Sequence, residues 1–188
     1  MRLEEALALL YQNELGEPAQ AIQRWRNVLG LDPIHARAIG ALDELLTEAS
    51  DWEALVGLLG HVIEHVPSEL GHTLTHRRRA RLLRDELERP ADAADDWRAL
   101  LENQSEDSES RGALSEIYEQ AEDWSRWAEI VERRLSLAEV SDQALRLRFA
   151  DVIGTKLERH ERAGEELSRV LSDEEISVEL LERLADTA

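Results

Sequence analysis

The 188-residue sequence predicts an all-α solenoid, a row of antiparallel helix pairs in which each pair buries its apolar stripe against its neighbours. Three observations predict it. Ala21, Trp25 and Pro33 are echoed at the same spacing by Leu55, Leu59 and Pro67, with the prolines 34 residues apart. A longer echo lies 72 residues on: Pro18 becomes Pro90, Trp25 becomes Trp97, Gly40 becomes Gly112, and Asp51-Trp52 becomes Asp123-Trp124. Composition agrees, because Leu, Ala, Glu and Arg dominate and favour helix. Few runs carry the Val, Ile, Thr and Tyr enrichment of strands.

The elements follow in order. Residues 3–14 form a first helix with Leu3, Leu7, Leu10 and Tyr11 on one face, ended by Gly16. Pro18 suits the first turn of a second helix over 18–30, which buries Ala21, Ile22, Trp25, Val28 and Leu29. Asp32-Pro33 reads as the start of a third helix over 33–49, through Ile39, Leu42, Leu45 and Leu46. Ser50 and Glu53 fit a capping box for a fourth helix over 52–66, carrying Trp52, Leu55, Leu59 and Ile63. The shift of 72 repeats this set, so that Leu59 and Ile63 become Val131 and Leu135. A third copy lies 70 further on, where Ala163, Leu167 and Leu171 match Ala93, Trp97 and Leu101. Ser172 to Glu175 then caps a trailing helix with Ile176, Leu180, Leu181 and Leu184. The units fall at about 2–35, 36–73, 74–107, 108–143 and 144–175, with the trailing helix at 173–187, in one domain over 1–188. The polar run Asn103–Ser110 is a turn and a first helical turn, where acids oppose the positive helix end.

Charge excludes several classes. With 22 basic and 41 acidic residues the net charge is −19, a field that disfavours nucleic acid and anionic membrane and that could steer basic partners. With no cysteine, disulfides and thiolate metal sites are excluded. The first residues form an acid-bearing amphipathic helix rather than a signal peptide, and no apolar run is long enough to span a membrane. A cytoplasmic location is the expectation.

At these residues the chain resembles the tetratricopeptide repeat family, whose pattern sets a small residue, a large one four later, then proline. Ala21, Trp25 and Pro33 match it; Leu55, Leu59 and Pro67 match in spacing with bulk at the small position; Ala93 and Trp97 match without the proline. The resemblance implies a right-handed superhelix of about five helix pairs plus the trailing helix. It further implies a scaffold whose first helices line a concave groove for a partner peptide or helix. Carried over by register, the groove holds Asn13, Glu14, Arg37, Glu44, Thr47, Glu48, Thr75, Arg78, Leu82, Asp85, Glu116, Glu119, Arg148 and Lys156. This set lacks the Lys and Asn with which some members clamp a C-terminal carboxylate.

Other constellations are weighed against bland alternatives. His61, Glu64 and His65 spell the inverted zinc-protease motif, two histidines at i, i+4 with a glutamate base, and His72 and His76 repeat the spacing. The alternative reading is thus a metal-binding or hydrolytic accessory protein; the bland one is histidine complementing a helix C-terminus. The basic run from His76 to Arg81, with Arg84, could hold an anionic segment, or could neutralise acids on adjacent helices. The tryptophans read as core. Gly40 and Gly112 read as close helix–helix contacts rather than as room for a ligand backbone. No Gly-rich phosphate loop or nucleophile–base set is present, so the expectation is no catalytic residue, no cofactor and no metal. The expected partner is another protein or peptide. A third reading makes the chain a spacer, part of a longer chain or self-associating, since its first unit lacks an obvious polar cap.

Overall fold

Helices account for nearly all of the computed structural model, which describes residues 1–68, 72–137 and 142–172. The trailing helix expected at 173–187 lies outside the described residues. Among the described residues there are ten α-helices and no strand. They pair in sequence. α1 (Arg2–Leu9) precedes α2 (Pro18–Leu31), and α3 (Ala36–Glu48) precedes α4 (Trp52–His65). α5 (Thr73–Arg81) precedes α6 (Ala94–Asn103), which is entered through a 3₁₀ turn over Pro90–Ala93. α7 (Ser108–Gln120) precedes α8 (Trp124–Leu137), and α9 (Gln143–Thr155) precedes α10 (His160–Ser172). Short turns between packed helices make each pair antiparallel. The fold is therefore all-α, built from antiparallel helix pairs. Among the described residues no helix is long and apolar enough to cross a membrane.

Contacts divide the chain into two compact units, Met1–Ser105 and Glu106–Ala188. In the first, each helix from α1 to α6 packs on the next. In the second, α7 packs on α8, α8 on α9 and α9 on α10.

The pairs alternate in how they pack. In the first, third and fifth pairs both helices bury an alanine: Ala8 and Ala21, Ala80 and Ala93, Ala150 and Ala163. At the positions 34 residues after Ala8, Ala21, Ala80 and Ala93, the second and fourth pairs set bulk instead, Leu42, Leu55, Leu114 and Trp127, and they bury Ala38, Ala113 and Ala128 at other places. Trp25, Trp97 and Trp127 are at most 1% exposed, as the core reading of the tryptophans requires. Trp25 Nε1–H donates to Gln12 Oε1 at 3.0 Å. Its counterpart Trp97 instead lies under the Arg84 guanidinium, 5.4 Å from the ring centroid. The stripe fades in the third copy, where Leu167 stands at the Trp97 position and is 40% exposed.

One polar pair recurs inside the alanine-type hairpins. Glu4 meets Arg24 at 3.3 Å, His76 meets Asp96 at 2.7 Å, and Arg146 meets Glu166 at 2.7 Å, each pair 20 residues apart. Asp96 is fully buried and Glu166 is 2% exposed. A buried carboxylate is tolerated only when its lone pairs are matched. Arg79 Nε supplies a second bond to Asp96 at 2.8 Å, and Arg169 a second to Glu166 at 2.7 Å.

Three expected boundaries are corrected. The first helix does not run regularly to residue 14: α1 passes into a π-helix over Leu10–Leu15, and α5 does the same over Leu82–Glu86. At the ends of these helices Glu17 N–H reaches Tyr11 O at 3.0 Å and Arg89 N–H reaches Leu83 O at 2.7 Å. The residue before each donor is left-handed, Gly16 at φ 63° and Glu88 at φ 53°, and Glu158 repeats the closure at φ 55°. Second, Asp32-Pro33 does not start α3. Asp32 Oδ1 takes the Ile34 N–H in a turn, and His35 caps the helix by accepting from Ala38 N–H at Nδ1, 3.2 Å. Third, Ser50 and Glu53 form no capping box. Ser50 has φ 52°, and Asp51 accepts the Ala54 N–H at 3.2 Å. Glu122 (φ 53°) and Asp123 repeat this arrangement before α8.

Two outcomes follow. Trp97→Ala, which empties a fully buried site, is expected to lower stability by about 3–5 kcal/mol in urea denaturation. A hydrogen bond from Asn27, aided by Arg24, holds the Glu4 carboxyl below the usual carboxylate range. Its stabilising contribution is thus complete above the unfolded-state value and is lost as pH falls through the depressed folded one. Asn27→Ala is expected to raise the Glu4 titration midpoint, read by carboxyl-carbon NMR, and to weaken acid resistance.

Candidate functional site: the first-helix faces

In the first unit, arginines tie the first helices of successive pairs together. Arg37 of α3 donates to Glu5 of α1 at 3.1 Å. Arg78 of α5 grips Asp43 of α3 through two bonds, 2.5 and 2.7 Å, and adds Thr47 Oγ1 at 3.1 Å. The Asp43 hydrogen bond holds the Arg78 proton more tightly than usual. In the second unit Arg148 of α9 pairs with Glu119 of α7. Each exposed pair contributes little stability alone, about 0–1 kcal/mol. Their effect is positional, since they fix side chains that would otherwise sample many rotamers.

The other residues expected on this face divide into two groups. Asn13, Glu14, Glu44, Thr47, Glu48 and Glu116 are exposed, and the carboxylates Glu14, Glu44, Glu48 and Glu116 stand outside these cross-helix pairs. Leu82 is half-buried and packs against the core of the first unit, so part of its surface is structural. Asp85 is exposed and takes two bonds from Arg84, 2.6 and 3.0 Å, which draw its carboxyl below the usual range. Thr75 is half-buried, and the Lys156 ammonium lies 5.7 Å from the Trp124 ring centroid. A shallow cleft runs along α5 and its π extension, lined by Leu74, Arg77, Arg78, Arg81, Leu82, Asp85 and Glu86. Leu74, 81% exposed, is the residue that sequence reasoning missed. Its spacing of four from Arg78 and eight from Leu82 was the available signal.

The basic run largely neutralises acids on neighbouring helices. Besides Arg78 on Asp43, Arg79 serves Asp96 and Arg77 donates to Gln104 at 3.4 Å. The histidines make local bonds. His61 Nε2 donates to Pro33 O at 2.7 Å, tying α4 to the turn before α3, and His65 Nδ1 donates to His61 O at 3.1 Å. The two rings stack with centroids 4.3 Å apart, and Glu64 is exposed beside them. Each of these rings donates through one nitrogen and keeps a lone pair on the other. His72 Nε2 meets Val66 O at 2.6 Å, and His76 belongs to the Asp96 pair. Among the described residues no group of three or more His, Asp or Glu is placed to hold a metal ion.

The glycine expectation is corrected. A Cβ built on Gly40 or Gly112 meets nothing within 4 Å, so neither glycine serves a close helix–helix contact. Gly60 and Gly154 do have such neighbours, Arg79 Nη1 at 3.1 Å and Ala163 Cβ at 3.2 Å.

No protein-family model and no curated protein matches the chain. Among solved structures it is similar to YrrB, described as a tetratricopeptide repeat protein with an unusual peptide-binding site. That match has 13% identity and a TM-score of 0.48 and covers 95% of this chain and 88% of that one. It is also similar to MamA from Desulfovibrio magneticus RS-1, at 14% identity and TM-score 0.43 over 90% of this chain and 92% of that one. Pseudomonas aeruginosa PilF gives 15% identity and TM-score 0.43 over 97% of this chain and 80% of that one.

Glycine inside a helix costs about 0.5–1 kcal/mol relative to alanine. Since Gly40 has no neighbour to obstruct a methyl group, Gly40→Ala is expected to raise stability by about that amount in thermal or urea unfolding.

Proposed function

We propose that this chain is a non-catalytic interaction scaffold that docks a partner peptide or helix on the exposed faces of its first helices. The observation that carries this reading is cross-helix tethering, by Arg37 and Arg78 in the first unit and separately by Arg148 in the second. In the first unit it turns exposed side chains into an ordered polar array beside the exposed Glu44, Thr47 and Glu48. An ordered surface loses less entropy on binding, which favours recognition. The repeat itself explains the core residues; it gives no reason for ordering the surface.

The test is affinity capture from native lysate with three baits: the native chain, Glu44→Lys/Glu48→Lys, and the control Glu64→Lys/Glu129→Lys on second-helix surfaces. Reversing Arg78 would be a poor probe, because it would also break the bond to Asp43. The expected result is a protein retained by the native chain and the control and lost by the first variant. Equal retention by all three would overturn the reading.

A further inference from the structure

The third and fifth pairs show how a first helix is received by the pair before it. In the third, Arg79 of α5 passes over Gly60 of α4, with Nη1 3.1 Å from where a Gly60 Cβ would stand. Leu82, in the π extension of α5, packs against the core to which α4 contributes Leu55 and Leu59. In the fifth, 70 residues on, the same two positions are Phe149 and Val152 of α9. Both are buried, and the Phe149 ring lies 6.4 Å from the Trp127 ring of α8. In the first pair, 72 residues before α5, these positions are Leu7 and Leu10 of α1 and its π extension. Leu3 stands on the same stripe one turn earlier. Among the described residues no helix takes on α1 the place that α4 takes on α5 and α8 on α9. Leu3 is 70% exposed and Leu10 44%. This uncovered side is more apolar than its covered counterpart on α5, where one of the positions is arginine.

The rim differs in charge. Arg89, just before the 3₁₀ turn into α6, pairs with Glu53 in the first turn of α4 at 2.9 Å. Its counterpart beside α1, 72 residues earlier, is the exposed Glu17. We infer that the outer side of α1 is a second docking surface, and that its occupant is an amphipathic helix of another polypeptide built like α4. An apolar stripe lies on Leu3, Leu7 and Leu10, and a Lys or Arg stands in place of Glu53 to meet Glu17. Apolar burial supplies the affinity and the rim charge selects the partner. The covered counterparts define the kind of helix that fits. Both α5 and α9 are received by the second helix of a bulky pair, which sets Leu55 or Trp127 where the alanine-type pairs set Ala21 or Ala93. A second copy offers no free helix of this kind among the described residues. Its α4 and α8 already pack on α5 and α9, and α10 is of the alanine type, with Ala163 at that position. The surface is separate from the exposed Glu44 and Glu48 of α3, so the inference goes beyond the proposed docking face and either can fail alone.

The experiment is fluorescence anisotropy of the full chain with labelled peptides of the α4 sequence, Asp51–Val66, in native form and as Glu53→Lys. Each is stapled across positions 57 and 64, exposed in α4, so that it is helical before it binds. Both are expected to bind, the Glu53→Lys form about threefold more tightly, the scale of one exposed ion pair. Leu3→Gln/Leu10→Gln in the chain is expected to weaken both by about tenfold or more, the scale of two buried leucines. Leu3→Gln alone, at the most exposed of the three leucines, repeats the test should the double variant lower Tm. Leu31→Gln/Ile34→Gln, at two exposed apolar residues elsewhere in the same unit, is expected to leave both affinities unchanged. Glu17→Lys is expected to reverse the preference between the peptides. Failure of both peptides to bind, or equal weakening by the two double variants, overturns the docking surface. An unchanged preference in Glu17→Lys overturns the basic residue assigned to the occupant. Sedimentation of the chain alone is expected to show no association through this side. Self-association abolished by Leu3→Gln/Leu10→Gln would make the occupant a second copy and overturn the inference.

Discussion

Everything else in this structure depends on small side chains inside the alanine-type hairpins. A two-helix hairpin has too little apolar surface to be stable alone, so its helices must approach closely and still leave a stripe for the next pair. The buried alanines Ala8 and Ala21, Ala80 and Ala93, and Ala150 and Ala163 do the first of these. Large residues on either side, Trp25, Trp97 and Val28 among them, do the second. The intervening pairs reverse the logic, with leucine, tyrosine and tryptophan filling the space that alanine leaves narrow elsewhere. The true period is therefore two hairpins long. The third copy loosens where a leucine replaces the tryptophan.

The polar pair shows how the same place in the fold accepts different chemistry. In the first copy the carboxylate is on the first helix and its basic partner on the second; in the other two the order is reversed. Coulomb attraction is unchanged by exchanging partners, so the position requires complementarity and not a particular residue. Burial then sets the number of donors. Glu4, which is only partly buried, is held by Arg24 and Asn27; Asp96 and Glu166 have lost nearly all contact with water and are met by charged donors. Such pairs add modest net stability, yet losing one partner strands a buried charge. They bind each first helix to its second in a fixed register.

Much of this was legible in the sequence, and the omissions have physical causes. Trp25, Trp97 and Trp127 announced core positions because large apolar residues at helical spacing have few alternatives. The starts of α2 at Pro18 and α4 at Trp52 were read correctly, while α3 starts three residues later than expected and the cap of α4 was assigned to the wrong residue. Ser50 and Asp51 can both cap, and which one does so depends on Ser50 adopting a left-handed φ that closes the preceding helix. His35 caps through an imidazole, outside the usual set of capping side chains. The π turns leave no compositional trace. The candidate face was placed by register, but its ion pairs were invisible: Asp43 and Arg78 are 35 residues apart, and no spacing rule within one helix links them.

The same invisibility explains why the charged residues could be misjudged. Read along the chain, the arginines from Arg77 to Arg84 form a basic patch that invites an anionic ligand. Read in three dimensions, Arg78, Arg79 and Arg84 each face a carboxylate, and Arg84 also covers a tryptophan ring. Arg78 and Arg79 are thus matched by acids on neighbouring helices, and Arg84 by the carboxylate next to it. The acids without such partners, Glu44 and Glu116, sit one turn from glycines that no internal contact requires. The fold tolerates such local mismatches because its stability comes from the alanine and tryptophan layers beneath, where a surface side chain has little influence.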